Sequence, residues 1–317
     1  MPEAVRPPCA TPGRAGAGEL EIVVKTTNRC NASCAYCSAG VNAAGPRASL
    51  DLALARRICA EAAALVERGV HRRVHVLWHG GEPLVLGKEF FRALLPHART
   101  DVVTHGIQTN LLALDDEWLD LLEPLVGKDG LGTSCDPSSA ERRFAGGPYL
   151  ETWLDRMALL ARRGWRVGCV YVLHRKGLDA AEDVYWFFRN LGSNSSVSLA
   201  VNPVLPVGDA SGIDALLLRP GDLAAFLGRL ARVWAADRFR LRIRPLDEWR
   251  EWLLGEAPRL PCNLAGAEAC QRGRCGVTPE GTVFGCGRAA DAGAPSLGSL
   301  REAPLEALLA AREGSGP

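Results

Sequence analysis

The sequence predicts an α/β fold built on a parallel sheet, and three observations predict it. Six apolar, strand-like runs are interleaved with helix-like stretches, an alternation that right-handed crossovers turn into a parallel sheet. Polar and glycine-rich signals gather at the C-terminal ends of those runs, where α/β sheets and barrels place their sites. The composition, 47% hydrophobic and 23% charged over 317 residues, suits one large domain, or one with a small appendage, and a substantial core.

Met1 to Gly18 is rich in Pro, Gly and Ala and lacks the apolar stretch of a signal peptide, so residues 1–19 read as a disordered leader of a cytoplasmic protein. Residues 21–26 (EIVVKT) form the first strand, and a cysteine loop follows directly. Residues 50–68 make an amphipathic helix that Gly69 stops. A strand over 73–78 ends in His79-Gly80-Gly81-Glu82-Pro83, with a helix near 88–97 after it. A third strand, 101–109, ends in Gln108-Thr109-Asn110, and Asp115 caps a helix over 116–125. Strands over 130–135, 166–173 and 197–202 alternate with helices over 149–163 and 179–191. A long helix, 220–236, closes a core unit placed at 20–245.

After Pro245 the character changes. Trp249 and Trp252 lie on a helical stretch, then come a cysteine-rich loop, a hairpin (275–279 and 282–286, turning at Glu280-Gly281) and a last helix over 304–312. This second unit spans 246–317. The formal net charge of +1 provides no bulk field for nucleic acid or an anionic membrane, and no apolar run is long enough to cross a bilayer.

The 11 cysteines are an odd number in a long chain, which argues against a disulfide framework and for metal or redox chemistry. Cys30, Cys34 and Cys37 form C-x3-C-x2-C, and Cys262, Cys270, Cys275 and Cys286 gather near the end. Three thiolates wrap one face of a [4Fe–4S] cubane, which takes four ligands, and so leave one iron open to a chelating substrate. A structural zinc site is the alternative, but it needs a fourth ligand and no His or Cys stands close to supply it. Of the scattered cysteines, Cys135 and Cys169 read as small buried hydrophobes, and Cys9 and Cys59 as incidental. His75, His79 and His105 fall near strand ends, where a structural role is the first expectation.

The run Cys30-Asn31-Ala32-Ser33-Cys34-Ala35-Tyr36-Cys37 resembles the signature of the radical S-adenosylmethionine superfamily. Gly80-Gly81-Glu82-Pro83 resembles its GGEP motif. Gln108-Thr109-Asn110 and Gly132-Thr133-Ser134 resemble members with C-terminal auxiliary-cluster domains. Where many relatives carry Leu-Asp-Gly after the strand-four serine, this chain has Cys135-Asp136-Pro137. The resemblance covers about 20–312 and implies a partial (β/α)6 barrel. It implies a [4Fe–4S] cluster on Cys30, Cys34 and Cys37 with S-adenosylmethionine bound to it, reduced by a flavodoxin- or ferredoxin-type donor. By the same resemblance Tyr36 packs on the adenine, and Gly81, Glu82, Asn110 and Ser134 lie near the cofactor. Arg142 or Arg143, with Arg143 preferred, pairs with its carboxylate.

Cys270, Gly281 and Cys286 are spaced as in the auxiliary-cluster domains called SPASM and twitch, and with no cysteine after Cys286 the expectation is the shortened, twitch-like form. Cys262, Cys270, Cys275 and Cys286 are then candidate ligands of a second [4Fe–4S] cluster, the hairpin bringing Cys275 and Cys286 close. Cys262 is also the candidate hydrogen-atom donor. The compact layout and the absence of a leader-binding domain before residue 20 favour tailoring of a sugar or aminoglycoside-type natural product, by epimerisation or alcohol oxidation. Maturation of a ribosomally made peptide is the alternative, carried by the runs WHGGEPL and DDEWLDLL. A non-catalytic metal-binding protein is the third reading.

Overall fold

The computed structural model describes residues 18–40, 47–137, 140–191, 196–208, 213–256 and 273–314. In chain order the elements are β1 (Glu19–Lys25), β2 (Ala32–Cys34), α1 (Leu52–Glu67), β3 (Arg73–His79), α2 (Lys88–Leu94), β4 (Thr104–Gln108), α3 (Asp116–Val126) and β5 (Leu131–Ser134). There follow β6 (Arg142–Phe144), α4 (Tyr149–Arg162), β7 (Val167–Leu173), α5 (Ala181–Leu191), β8 (Val197–Pro203), α6 (Asp222–Ala236), β9 (Arg242–Arg244) and α7 (Leu246–Leu253). The last are β10 (Arg274–Val277), β11 (Thr282–Phe284), α8 (Gly287–Asp291), β12 (Gly298–Ser299) and α9 (Leu305–Gly314).

Six of the strands, β1, β3, β4, β5, β7 and β8, run parallel and side by side, as the alternation of strands and helices predicts. Alternate side chains of these strands (Ile22, Val76, Ile107, Leu131, Cys169, Leu199) join one buried cluster with the apolar faces of the helices. Strand geometry sends the intervening residues to the opposite face. Register puts Val23, Leu77, Gly106, Gly132, Gly168 and Ala200 there, a row dominated by small side chains. Helices on one face and small or polar side chains on the other are the division a barrel wall makes between outside and lumen. Asp115 caps α3 by accepting from the Trp118 N–H at 2.8 Å, and Asp51 caps α1 in the same way through Leu54.

The sheet extends past both ends of this set to ten strands, in the order β12-β11-β10-β1-β3-β4-β5-β7-β8-β9. β9 adds in parallel beside β8. At the other end β10 runs parallel to β1, and the expected hairpin, β10–β11, continues outward from it. Among the described residues, no helix is long and apolar enough to cross a membrane.

Candidate active site

The cysteine loop leaves the C-terminal end of β1, and the turn after β3 anchors it. Gly81 N–H donates to the Thr27 carbonyl at 2.6 Å, and Glu82 N–H to the Arg29 carbonyl at 2.9 Å. Gly80 has φ +124°, and a Cβ there would stand 2.6 Å from the Thr27 oxygen, so the close approach of the two loops requires glycine. The loop then forms β2, which pairs with β6 as a two-stranded ribbon, Ser33 opposite Arg143 and Cys34 opposite Arg142.

Cys30, Cys34 and Cys37 are half-buried and not joined in disulfides. Burial, then the nearby Glu82 and the other two sulfurs, pushes the Cys30 thiol up to about 12 against the pull of the Ala32 N–H. Burial likewise raises Cys34, which Arg142 partly offsets. Two thiols this disfavoured as thiolates need a cationic partner to ionise, and an iron cluster supplies one. No trio of Cys, His, Asp or Glu among the described residues converges on one point as a single metal ion demands. A cubane makes no such demand, because each sulfur binds its own iron.

Glu82 is fully buried and accepts three hydrogen bonds: from Leu84 N–H (3.0 Å), Thr109 Oγ1 (2.7 Å) and Asn110 N–H (2.7 Å). Burial nevertheless wins and lifts its carboxyl to about 7. Asn110 binds Asn31 Oδ1 at 2.7 Å and points its Nδ2 at Cys30 Sγ from 3.6 Å, which ties the end of β4 to the loop.

Arg142 is the arginine turned inward. Its guanidinium donates to Asp136 (2.7 Å) and Ser134 Oγ (3.0 Å), reaches Cys34 Sγ at 3.9 Å, and lies over the Tyr36 ring at 5.4 Å. Burial opposes its charge, and Asp136, then Tyr149 and Cys34, outweigh that opposition. Asp136 also accepts the Val172 N–H at 2.9 Å and so joins the ends of β5 and β7. Arg143, the arginine preferred on sequence grounds, projects from the other face of the ribbon and is exposed. Tyr36 is buried against His174, ring centroids 5.5 Å apart. The Tyr36 hydroxyl and Gln108 Oε1 are both buried without a hydrogen-bond partner among the described residues. Orphaned polar atoms of this kind fit a site built for a ligand.

The remaining candidates divide. His79 faces the open side beside Lys25, and burial, then Lys25, holds it down at about 3. His105 lies in the helix-covered core, stacked on Trp78 and bonded to the Ala98 carbonyl at 2.7 Å. Cys59, Cys135 and Cys169 belong to that core too. Cys9, Cys262 and Cys270 lie outside the described residues.

Cys275 and Cys286 are not side by side on the hairpin. Cys275 aligns with Ile22 and is buried in the helix-covered core. The Cys286 backbone passes over the opposite face, 2.7 Å from where a Gly276 Cβ would be, and Cys286 Sγ caps α8 through the Ala289 N–H at 3.3 Å. Alternation along β10 is the cause. α8 packs on Val23 and Lys25, and Lys25 forms a largely buried ion pair with Asp291 at 2.8 Å. The contact of Asp136 with Arg142, the place of His174 and the Lys25–Asp291 pair carry no sequence signal, because each is made by packing between separate elements.

The family model of the radical SAM superfamily matches residues 24–185. Over 163 residues the chain is 30% identical to PqqA peptide cyclase of Xanthomonas oryzae pv. oryzae (strain MAFF 311018), 50% of this chain and 41% of that protein. It is 28% identical over 134 residues to an uncharacterized protein of Methanothermobacter thermautotrophicus, 41% of this chain and 49% of that protein. The chain thus covers about half the length or less of these curated relatives. Among solved structures, native anSMEcpe with bound AdoMet superposes with a TM-score of 0.73 at 21% identity, over 91% of this chain and 80% of that one. Streptococcus suis SuiB bound to precursor peptide SuiA superposes with a TM-score of 0.65 at 12% identity, over 92% and 64%. At these identities the likeness establishes the fold, that of the partial-barrel enzymes.

Proposed function

The chain belongs to the radical S-adenosylmethionine superfamily, its family model matching residues 24–185, and on that premise we propose that it modifies a peptide by hydrogen-atom abstraction. The observation that carries the reading is its 30% identity over half its length to a peptide cyclase. Solved structures of the same fold that hold peptides, SuiB with SuiA among them, agree with it. The expectation of sugar or aminoglycoside tailoring has no comparable support and is the competing outcome of the test below.

In this proposal Cys30, Cys34 and Cys37 hold the [4Fe–4S] cluster. Glu82 meets the amino group of S-adenosylmethionine, Ser134 and Arg142 its carboxylate, and Tyr36 its adenine, with Asn110 bracing the loop. The pair supplies, on reduction, a 5′-deoxyadenosyl radical. The chain's own part is positioning and exclusion of water. The Asp136 carboxylate fixes the Arg142 fork, and the pair is largely buried, so the guanidinium is preorganised for a carboxylate. The turn at Gly80 and Gly81 holds the cysteine loop over the sheet's C-terminal edge. The small residues of the open face leave room in front of it, where Gln108 and Asn202 offer polar contacts to a substrate. A second [4Fe–4S] cluster would draw on Cys286 with Cys262 and Cys270, and Cys275 serves the core.

The test is anaerobic assay of the reconstituted protein with dithionite and S-adenosylmethionine, followed by mass spectrometry. Wild type should release 5′-deoxyadenosine, and the Cys30→Ala/Cys34→Ala/Cys37→Ala variant none. That variant should still hold about four irons if the C-terminal cysteines bind a cluster. Offered short precursor-type peptides, wild type should remove two hydrogens or, in D2O, install one deuterium. Turnover of an aminoglycoside and of no peptide would reverse the substrate assignment.

A further inference from the structure

Trp78 and Ile107 are buried in the helix-covered core and stand opposite one another in register. The next residues, His79 and Gln108, therefore lie side by side on the open face, on strands about 4.8 Å apart. Gly80 N–H donates to His79 Nδ1 at 2.6 Å, which leaves the ring proton on Nε2. The imidazole, held down at about 3, is neutral at physiological pH and offers Nε2–H as a donor. Gln108 Oε1 is buried and accepts no hydrogen bond among the described residues, a cost that a ligand's N–H would remove. Gly132 beside Gln108, and Gly168 beyond it, bring no side chain to this row. Asn110, whose N–H meets Glu82, follows Gln108 by two residues. The pair thus lies roughly 7 Å behind the residues assigned to the cofactor's amino group.

Charge on this face separates the possible ligands. Of the six parallel strands, only β1 puts carboxylates there, Glu19 and Glu21. Glu19 is held by Arg72 and Arg73, and Glu21 by Arg274. Asp291, which α8 brings over Val23, is held by Lys25. A polycationic aminoglycoside would meet Lys25 next to His79 and no uncommitted carboxylate on these strands. Neutral main-chain amides need none.

We propose that His79 and Gln108 read the main chain of an extended peptide substrate, His79 Nε2–H donating to a carbonyl oxygen and Gln108 Oε1 accepting the N–H of the same residue. In an extended chain those two groups point the same way, and paired antiparallel strands use both at once. The inference rests on the reading that the chain modifies a peptide. It adds which part of the peptide is held: the backbone, with the side chains left to the small-residue wall. Both are positioning residues, since neither takes part in breaking a bond.

The experiment titrates the reconstituted holoenzyme, with S-adenosylmethionine bound, against acetyl-trialanine-amide by ligand-observed NMR under anaerobic conditions. A second series replaces each alanine in turn by lactic acid, which exchanges one N–H for an ester oxygen without adding bulk. Wild type should bind the tripeptide saturably, and one ester position should weaken it about tenfold. Gln108→Leu should weaken the all-amide probe by a similar factor and be indifferent to that ester. The two losses should fail to add, as they do when both remove one contact. His79→Phe should also weaken binding, and His79→Gln, which returns a donor, should recover part of it. Iron content and S-adenosylmethionine affinity should match wild type in every variant. Gln108→Leu carries the test if His79→Phe loosens the turn at Gly80, because Gln108 Oε1 makes no bond within the described chain. No saturable binding of the tripeptide by wild type overturns the inference, and so do losses from ester and Gln108→Leu that simply add. The reading beneath fails in a different measurement. Main-chain binding with the expected coupling, but no mass change in any peptide and turnover of an aminoglycoside, would sink peptide modification and leave the amide contact in place.

Discussion

Glu82 sets the pH behaviour of the site. Its carboxyl sits at about 7 in the folded protein against an ordinary 4.5, because burial outweighs three hydrogen bonds. A carboxyl raised on folding contributes stability that is complete below about pH 4.5 and gone above about pH 7. The unliganded protein therefore loses stability at this residue as pH rises through that window. A cationic amino group placed against Glu82 reverses the preference, since it binds the carboxylate. Calorimetry should show S-adenosylmethionine affinity of the cluster-loaded protein falling about tenfold per pH unit below 7, with proton release on binding. Glu82→Gln should flatten that profile and bind weakly throughout; a profile that keeps its slope would remove Glu82 from the amino-group role. As candidates, Glu82, Asn110 and Ser134 were legible because each sits in a contiguous motif at a strand end. The choice between Arg142 and Arg143 was not. It depends on the parity of a three-residue strand, too short to show any alternation, and on Asp136, whose partnership with Arg142 closes across a loop.

At the scale of elements, apolar period and breakers located all six parallel strands and the principal helices to within a few residues, because burial on one face writes itself into local sequence. The β2–β6 ribbon escaped, being polar, short and held by the cysteine loop's own path. So did the parallel seat of β10 beside β1, a pairing about 250 residues long-range that no local pattern encodes. The turn after β3 is the element on which the cysteine loop depends. Alanine at Gly80 would have to take φ +124° and clear a carbonyl oxygen 2.6 Å away. The backbone strain alone costs about 1–3 kcal/mol. The barrel wall does not need this contact, whereas the loop does. Gly80→Ala should thus lower the melting temperature modestly while cutting iron bound by the first site severely. Circular dichroism and an iron count on the same sample separate the two effects, and full iron loading would show that the loop is held by other means.

Across the whole molecule, the boundary near residue 245 marks a change of sequence character and not a break in the sheet. β10 hydrogen-bonds along β1, and β11 and β12 continue from it. α9 and its approach lie against α1: Arg301 reaches Asp51, Arg57 reaches the Ala303 carbonyl, and Leu305 N–H meets Glu61. Val277, Val283, Leu300 and Leu305 are fully buried. At about 1.5–3 kcal/mol per side chain, these four rival the 5–15 kcal/mol by which a typical domain is stable. Removing them would also bare the edge of β1, an apolar strand with unpaired backbone groups, next to the cysteine loop. A chain ending at Glu256 keeps every residue matched by the family model and all three signature cysteines, so sequence alone would expect it to fold and load a cluster. The packing predicts otherwise. That truncation should be insoluble or self-associated by light scattering and should melt far below the full chain if it melts cooperatively at all. A monomeric, iron-loaded product would instead mean that the C-terminal unit is an attachment to a self-sufficient barrel. The shared sheet would then position a second cluster, with no part in completing the fold.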